Sequence, residues 1–220
     1  MKITFQDIKN NEEIRTYITQ ADASLIALGY TEHSFAHVNK VAYDASSLLK
    51  KLGYSHREVE LARIAGYMHD IGNVINRVDH AQSGAVMAFR ILDKMGMDAE
   101  DIAVVITAIG NHDEGTAFPV NPVAAALILA DKTDVRRTRV RNNDTTNFDI
   151  HDRVNYTVTD SFVKVDTLEQ TLTLNLTIDL DICAVMDYFE IFLQRMLLCR
   201  RAAEFFDLSF RLYINGAPLM

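Results

Sequence analysis

Up to about residue 141 the apolar positions recur every three to four residues, and beyond it they begin to alternate, so two architectures are expected in one chain. Ile14, Tyr17, Ile18, Ala21, Leu25 and Leu28 make one helical stripe. A second helix is expected over 34–52, stopped at Gly53, with His37, Val41, Asp44, Leu48 and Leu52 on one face. Ser55 with Glu58 three residues on forms a capping-box pattern. It opens a helix whose apolar positions Val59, Ala62, Ile64, Ala65 and Met68 deliver His69 at the C-terminal end. Further helices are expected over 81–94, stopped near Gly96, and from an Asp98 cap through Ile109, ended by Gly110-Asn111. Pro122 suits the first turn of a helix that reaches Asp131. The segment 114–121, with Gly115 and Pro119, reads as a loop.

The polar break at 142–147 marks the change of pattern. Segments 154–158 and 162–165 read as β, as does the alternating run 172–178. Asp179 and Asp181 suit a helix start. A long amphipathic helix is expected from there to about Phe206, then a strand over 208–214. The fold class is therefore mainly α: a helical bundle over 1–142 and a small α+β annex, β-β-α-β in order, over 143–220. Met186, Tyr188, Phe189, Phe192, Met196 and Phe205 suit an annex core or a dimer face. An open sheet edge there could pair with a second copy, making a homodimer.

Composition narrows the function classes. At 220 residues and 49% hydrophobic, the chain can bury a real core. A formal charge of -8 disfavours a general surface for long nucleic acid. Cys183 and Cys199, placed in one expected helix, would stand roughly 24 Å apart, beyond disulfide reach. They read as buried thiols of a reducing compartment. The first residues show no signal-peptide pattern, and no apolar run approaches the roughly 20 residues that span a bilayer. A soluble cytoplasmic protein is the expectation.

The chemistry gathers on His69-Asp70, an imidazole and a carboxylate between an apolar helix and Gly72. The dipeptide alone is weak, since it recurs at His112-Asp113 and His151-Asp152. It gains weight from His37 one helix upstream and from His80, His112 and Asp131 on successive helices. Imidazole and carboxylate together suit divalent Fe, Mn, Ni, Co or Zn. No cysteine lies near, which excludes a thiolate zinc site. Six candidates exceed the needs of one closed tetrahedral ion and suit two ions sharing a carboxylate.

His37, His69-Asp70, His80, His112 and Asp131 resemble the ordered ligand pattern of the HD-domain phosphohydrolase superfamily over roughly residues 30–141. His80-Ala81-Gln82-Ser83-Gly84-Ala85 and Ala108-Ile109-Gly110-Asn111-His112 resemble its branch with two extra histidines, which includes bacterial symmetrical dinucleoside-tetraphosphate hydrolases. The resemblance implies a metal-dependent phosphohydrolase acting through metal-activated water on a nucleotide or other small phosphate ester or anhydride. His37, His69 and Asp131 would hold one ion, His80 and His112 the other. Asp70 would bridge them at the reacting centre. Arg77, Lys132 and Arg136 are the expected substrate-phosphate contacts. His33, four residues before His37, is a candidate to support a ligand from behind or to touch substrate, and Asp113 reads as a neighbour of the site. Asn73 stands where many relatives carry a phosphate-holding Lys, and Arg77 or Lys132 is expected to substitute. The absence of Gly-Tyr-Pro after the pair argues against the branch cleaving cyclic di-GMP. Three rivals stay open: a metal- and nucleotide-binding signalling module with little turnover, a phosphodiesterase on short oligonucleotides, and a diiron oxygenase.

Overall fold

The structure, a computed structural model, describes residues 2–141 and 150–220. The expected polar break and domain boundary fall outside the described residues. Seven helices build the N-terminal part: α1 Phe5–Asn10, α2 Glu12–Ala27, α3 Phe35–Lys51, α4 His56–Met68, α5 His80–Lys94, α6 Ala99–Gly110 and α7 Pro122–Lys132. Their starts follow local chemistry. Ser34 and Asn121 cap α3 and α7 through their side chains, and Ser55 and Glu58 form the capping box of α4. Leu28 departs from the expected stripe: α2 ends before it, Gly29 turns the chain at φ 79°, and the side chain is exposed.

α7 is the central helix. All eight residues from Val123 to Ala130 are buried, against α3, α4 and α6 on one side and the annex on the other. A helix apolar all round is what such a position demands. The approach of α4 to α3 depends on Gly66, where a Cβ would lie 2.7 Å from the Ala42 Cα.

The annex holds α8 Ile150–Thr157, β1 Val158–Asp166, β2 Thr171–Ile178, α9 Val185–Glu204, β3 Ser209–Ile214 and the two-residue β4 Ala217–Pro218. The sheet order is β1-β2-β3-β4, with β2 and β3 parallel and the other pairs antiparallel. α9 is the crossover that a parallel pair requires. It lies between the sheet and α7, burying Tyr188, Phe192, Met196 and Cys199, while Met186 and Phe205 stay exposed.

Two readings of the annex are corrected. The run 154–157 is helical: Val154 and Thr157 are buried one turn apart and Thr157 Oγ1 donates to the Val154 carbonyl, so packing on α9 overrides β-branched preference. α9 begins after Asp179 and Asp181, because Asp179 closes a turn onto Asp181 and Ile182 and Ala184 is the extended cap. Cys183 therefore precedes α9, outside the helix that carries Cys199, and both thiols are free and buried. Among the described residues no helix is long and apolar enough to cross a membrane.

Candidate metal centre

His69 is the C-terminal cap of α4, and Asp70 opens the 3-10 turn over residues 71–74. That turn is pressed onto the start of α5: a Cβ on Gly72 would lie 2.0 Å from the His80 carbonyl oxygen and 2.5 Å from the Gly84 nitrogen. Only glycine permits the approach, and it brings His80, the first residue of α5, beside Asp70. Asp79 takes the left-handed conformation at φ 55°, which Asp tolerates better than most residues, to start α5 there. His37 enters from the first turn of α3, His112 from the turn after α6, and Asp131 from the last turn of α7.

These six side chains converge. His37 Nε2 and His69 Nε2 are 3.3 Å apart, as are His37 Nε2 and Asp131 Oδ1. His80 Nε2 and His112 Nε2 are 3.2 Å apart. Asp70 lies between the pairs. Its Oδ2 is 3.3 Å from His69 and 3.7 Å from His37, and its Oδ1 is 3.5 Å from His80 and 3.9 Å from His112. The four rings are buried, with at most 2% of the residue exposed.

The outer nitrogens fix what the inner ones can do. Nδ1 of His69, His80 and His112 meets the carbonyl oxygens of Gly66, Arg77 and Ile109 at 2.9, 3.0 and 2.6 Å. A carbonyl only accepts, so each Nδ1 carries a proton and a neutral ring turns a bare Nε2 inward. His37 Nδ1 meets Asp134 Oδ2 at 2.8 Å. Bare nitrogens at 3.2–3.3 Å from one another, beside a buried Asp70 Oδ2 that accepts no hydrogen bond, call for positive charge at the centre. This is the donor set of a divalent cation site, with the outer partners that orient metal-binding imidazoles. Three overlapping groups of donors could hold an ion: His37, His69 and Asp70; His69, His112 and Asp131; Asp70, His80 and His112.

The proton affinities show the same pull toward positive charge at the carboxylates and His69. Burial opposes a charged His69, but Asp70 and then Asp131 outweigh it, and its pKa is raised. Burial likewise opposes ionised Asp70 and Asp131; His69 holds the first well below the usual carboxylate range, and Lys132 holds the second there. Burial lowers His112 strongly and lowers His80, keeping those rings neutral, the form that binds metal.

Beside this centre lies a small cavity walled by Arg77, Lys132, Arg139, Arg195 and His33 together with Asp70, His80, His112 and Asp131 of the cluster. Arg77 Nη1 approaches His80 Nε2 at 3.2 Å. Lys132 is buried between Asp131 Oδ2 at 2.6 Å and Glu114 Oε2 at 3.4 Å. Arg136 does not line the cavity; it bonds Asp134 and reaches Glu32. Asp113 is partly exposed, its Oδ1 3.9 Å from His80 Nε2. Asn73, where a lysine was the comparison, is buried and donates through Nδ2 to Asp70 Oδ1 at 3.0 Å, steadying that carboxylate.

Sequence reasoning did not find Asp134, Arg139, Glu114 or Arg195. Asp134 had a signal, three residues after Asp131. Arg195 had none, since only the packing of α9 on α7 brings it to the site.

Residues 34–136, the span that contains all six clustered side chains, match the HD domain family. Over that span, somewhat under half of its length, the chain is similar to HD domains. Curated relatives include an uncharacterized protein of Methanocaldococcus jannaschii, 25% identical over 162 residues, 64% of this chain and 62% of that protein. Ribonuclease Y of Oceanobacillus iheyensis is 30% identical over 119 residues, 54% of this chain and 21% of that protein. The chain thus spans about three fifths of the first relative and one fifth of the second. A crystal structure from an uncultured Thermotogales bacterium, described as a predicted HD superfamily hydrolase, is 26% identical with a TM-score of 0.45 and covers 57% of this chain and 68% of its own. His33, Arg139 and Arg195 of the cavity lining lie outside the matched span.

Proposed function

We propose that the protein is a metal-dependent phosphohydrolase that cleaves a phosphate ester or anhydride of a nucleotide or another small molecule. The observation that carries this reading is Asp70, whose two oxygens face two different histidine pairs. His37, His69, Asp131 and one Asp70 oxygen would hold one divalent ion. His80, His112 and the other Asp70 oxygen would hold a second. The all-nitrogen-and-oxygen donor set suits Fe, Mn, Ni, Co or Zn. Such ions supply Lewis acidity toward a phosphoryl oxygen and lower the pKa of water. The chain's own part is to fix the donors through Asp134, Asn73 and the three carbonyls. Lys132 and Arg77 sit where a substrate phosphate would meet them.

The test is metal content, with phosphate release from a panel of nucleotides and dinucleoside polyphosphates measured on the same preparation. About two first-row ions per chain, and turnover lost in His69→Ala, are expected. Failure of reconstitution with Fe, Mn, Ni, Co or Zn would overturn the reading, and metal without turnover would favour a signalling module. A second reading, a phosphodiesterase on short oligonucleotides, draws its support from the relative named Ribonuclease Y.

A further inference from the structure

The annex helix sends Arg195 into the wall of the cavity above the metal centre. Its Nε lies 2.5 Å from Glu114 Oε1, and its guanidinium stacks over the Phe192 ring at 4.8 Å. The contact with Glu114 is an ion pair on the Nε side of the guanidinium, without hydrogen-bond geometry, and the guanidinium has five N–H donors in all. Glu114 follows His112 by two residues and also meets Lys132, so one carboxylate holds two cations at the cavity. Arg139 is buried opposite, fixed by the carbonyls of Glu32 and Asp134 at 2.9 Å. Arg77 closes another side, its Nη1 3.3 Å from Asn73 Oδ1.

Four cations thus line a space bounded by two carboxylates, Asp70 and Asp131. Counting Glu114 and Asp134, which lies 3.8 Å from Arg139, the protein's own charges balance, and each metal ion held at the centre would leave a positive excess. Buried charge is costly unless paired, and a bound anion would pair that excess. The space is small, a cavity of about 20 Å³ with room for one water, so a phosphate group enters it only with movement of the lining side chains. Its cations come from separate elements: the turn before α5, the end of α7, the segment after it, and α9.

We infer that Arg195 is a phosphate-binding residue supplied to the N-terminal helical part by the C-terminal annex, and that the pocket it completes takes a terminal phosphate rather than a diester inside a strand. A terminal phosphate carries up to two charges on three free oxygens and enters from one side. An internal diester carries one charge on two free oxygens and a substituent on each side, for which a space of this size has no room. The inference rests on the phosphohydrolase reading and names its substrate class and one of its binding groups.

The test uses the full-length, metal-loaded protein. Binding of inorganic phosphate is measured by calorimetry for wild type, Arg195→Ala and Arg195→Lys. Turnover of para-nitrophenyl phosphate and bis-para-nitrophenyl phosphate is measured alongside, with melting temperature and metal content as controls. Loss of one charged hydrogen-bonding group is expected to weaken phosphate binding by about tenfold or more. It should raise KM more than it lowers kcat, with partial recovery in Arg195→Lys and a wild-type preference for the monoester. If Arg195→Ala does not fold, Arg195→Lys and Arg195→Gln carry the comparison. Unchanged phosphate affinity in a folded, metal-replete variant would overturn the role of Arg195, and a preference for the diester would overturn the substrate class. A wild-type protein that neither binds phosphate nor turns over either compound would instead overturn the phosphohydrolase reading.

Discussion

At the scale of single residues, the centre is built from side chains whose far ends are already committed. His37 illustrates it: its Nε2 faces the cluster only because Asp134 takes Nδ1. Asp134 itself is buried and held ionised by His37, Arg136 and Arg139 against the opposing effect of burial. Asp134→Ala should therefore lower metal affinity by about 10- to 100-fold, read by competition with a chromogenic chelator. Asp134→Asn, which still offers an accepting oxygen, should retain more. Equal affinity in wild type and Asp134→Ala would show that the ring needs no such partner. The six clustered side chains were legible in the sequence because their types and order are distinctive. Their outer partners were not, since three are backbone carbonyls of ordinary residues and carry no residue signature.

At the scale of elements, the decisive contact is between the 3-10 turn at 71–74 and the first turn of α5. The glycine at 72 was visible in the sequence as a helix stop, but its need for close approach was not. Gly72→Ala would drive a Cβ into the His80 carbonyl. Overpacking of this kind costs about 1–3 kcal/mol, and relief by moving α5 would carry His80 away from Asp70. A lower melting temperature together with reduced metal stoichiometry is expected. Full metal content at unchanged stability would mean that the two elements do not need this close approach. Helix positions in the N-terminal part were readable because capping residues and apolar spacing agree. The helix α8 was misread because its β-branched residues favour strand locally and only burial against α9 decides otherwise. Cys199, on the buried face of α9, has its thiol pushed up to about 12 by burial. It should resist a thiol reagent at pH 8 in the native protein and react on unfolding; rapid native reaction of Cys199 would contradict that placement.

At the scale of the whole molecule, the annex and the N-terminal helical part are joined by charge as well as by packing. Glu114 is the joint. Burial works against its ionisation, yet Lys132 and Arg195 bring its pKa from 4.5 down to about 2. A pKa depressed in the folded state contributes stability above the unfolded value, and that contribution fades as pH falls from 4.5 toward about 2. Glu114→Gln should therefore melt below wild type at pH 7, and the gap should narrow as pH falls through that window. A gap that stays constant down to pH 2 would show that the glutamine disturbs packing instead. None of this joint was legible in the sequence, where Glu114 stands in a polar loop and Arg195 on an amphipathic helix like many others.

The same joint ties two motions together. Because Arg195 grips the residue that stands two places after His112, α9 cannot fray at that point without releasing the loop beside the cluster. Amide protons of α9 and of residues 111–116 should then exchange with solvent as one opening unit, slowed together when either side is held.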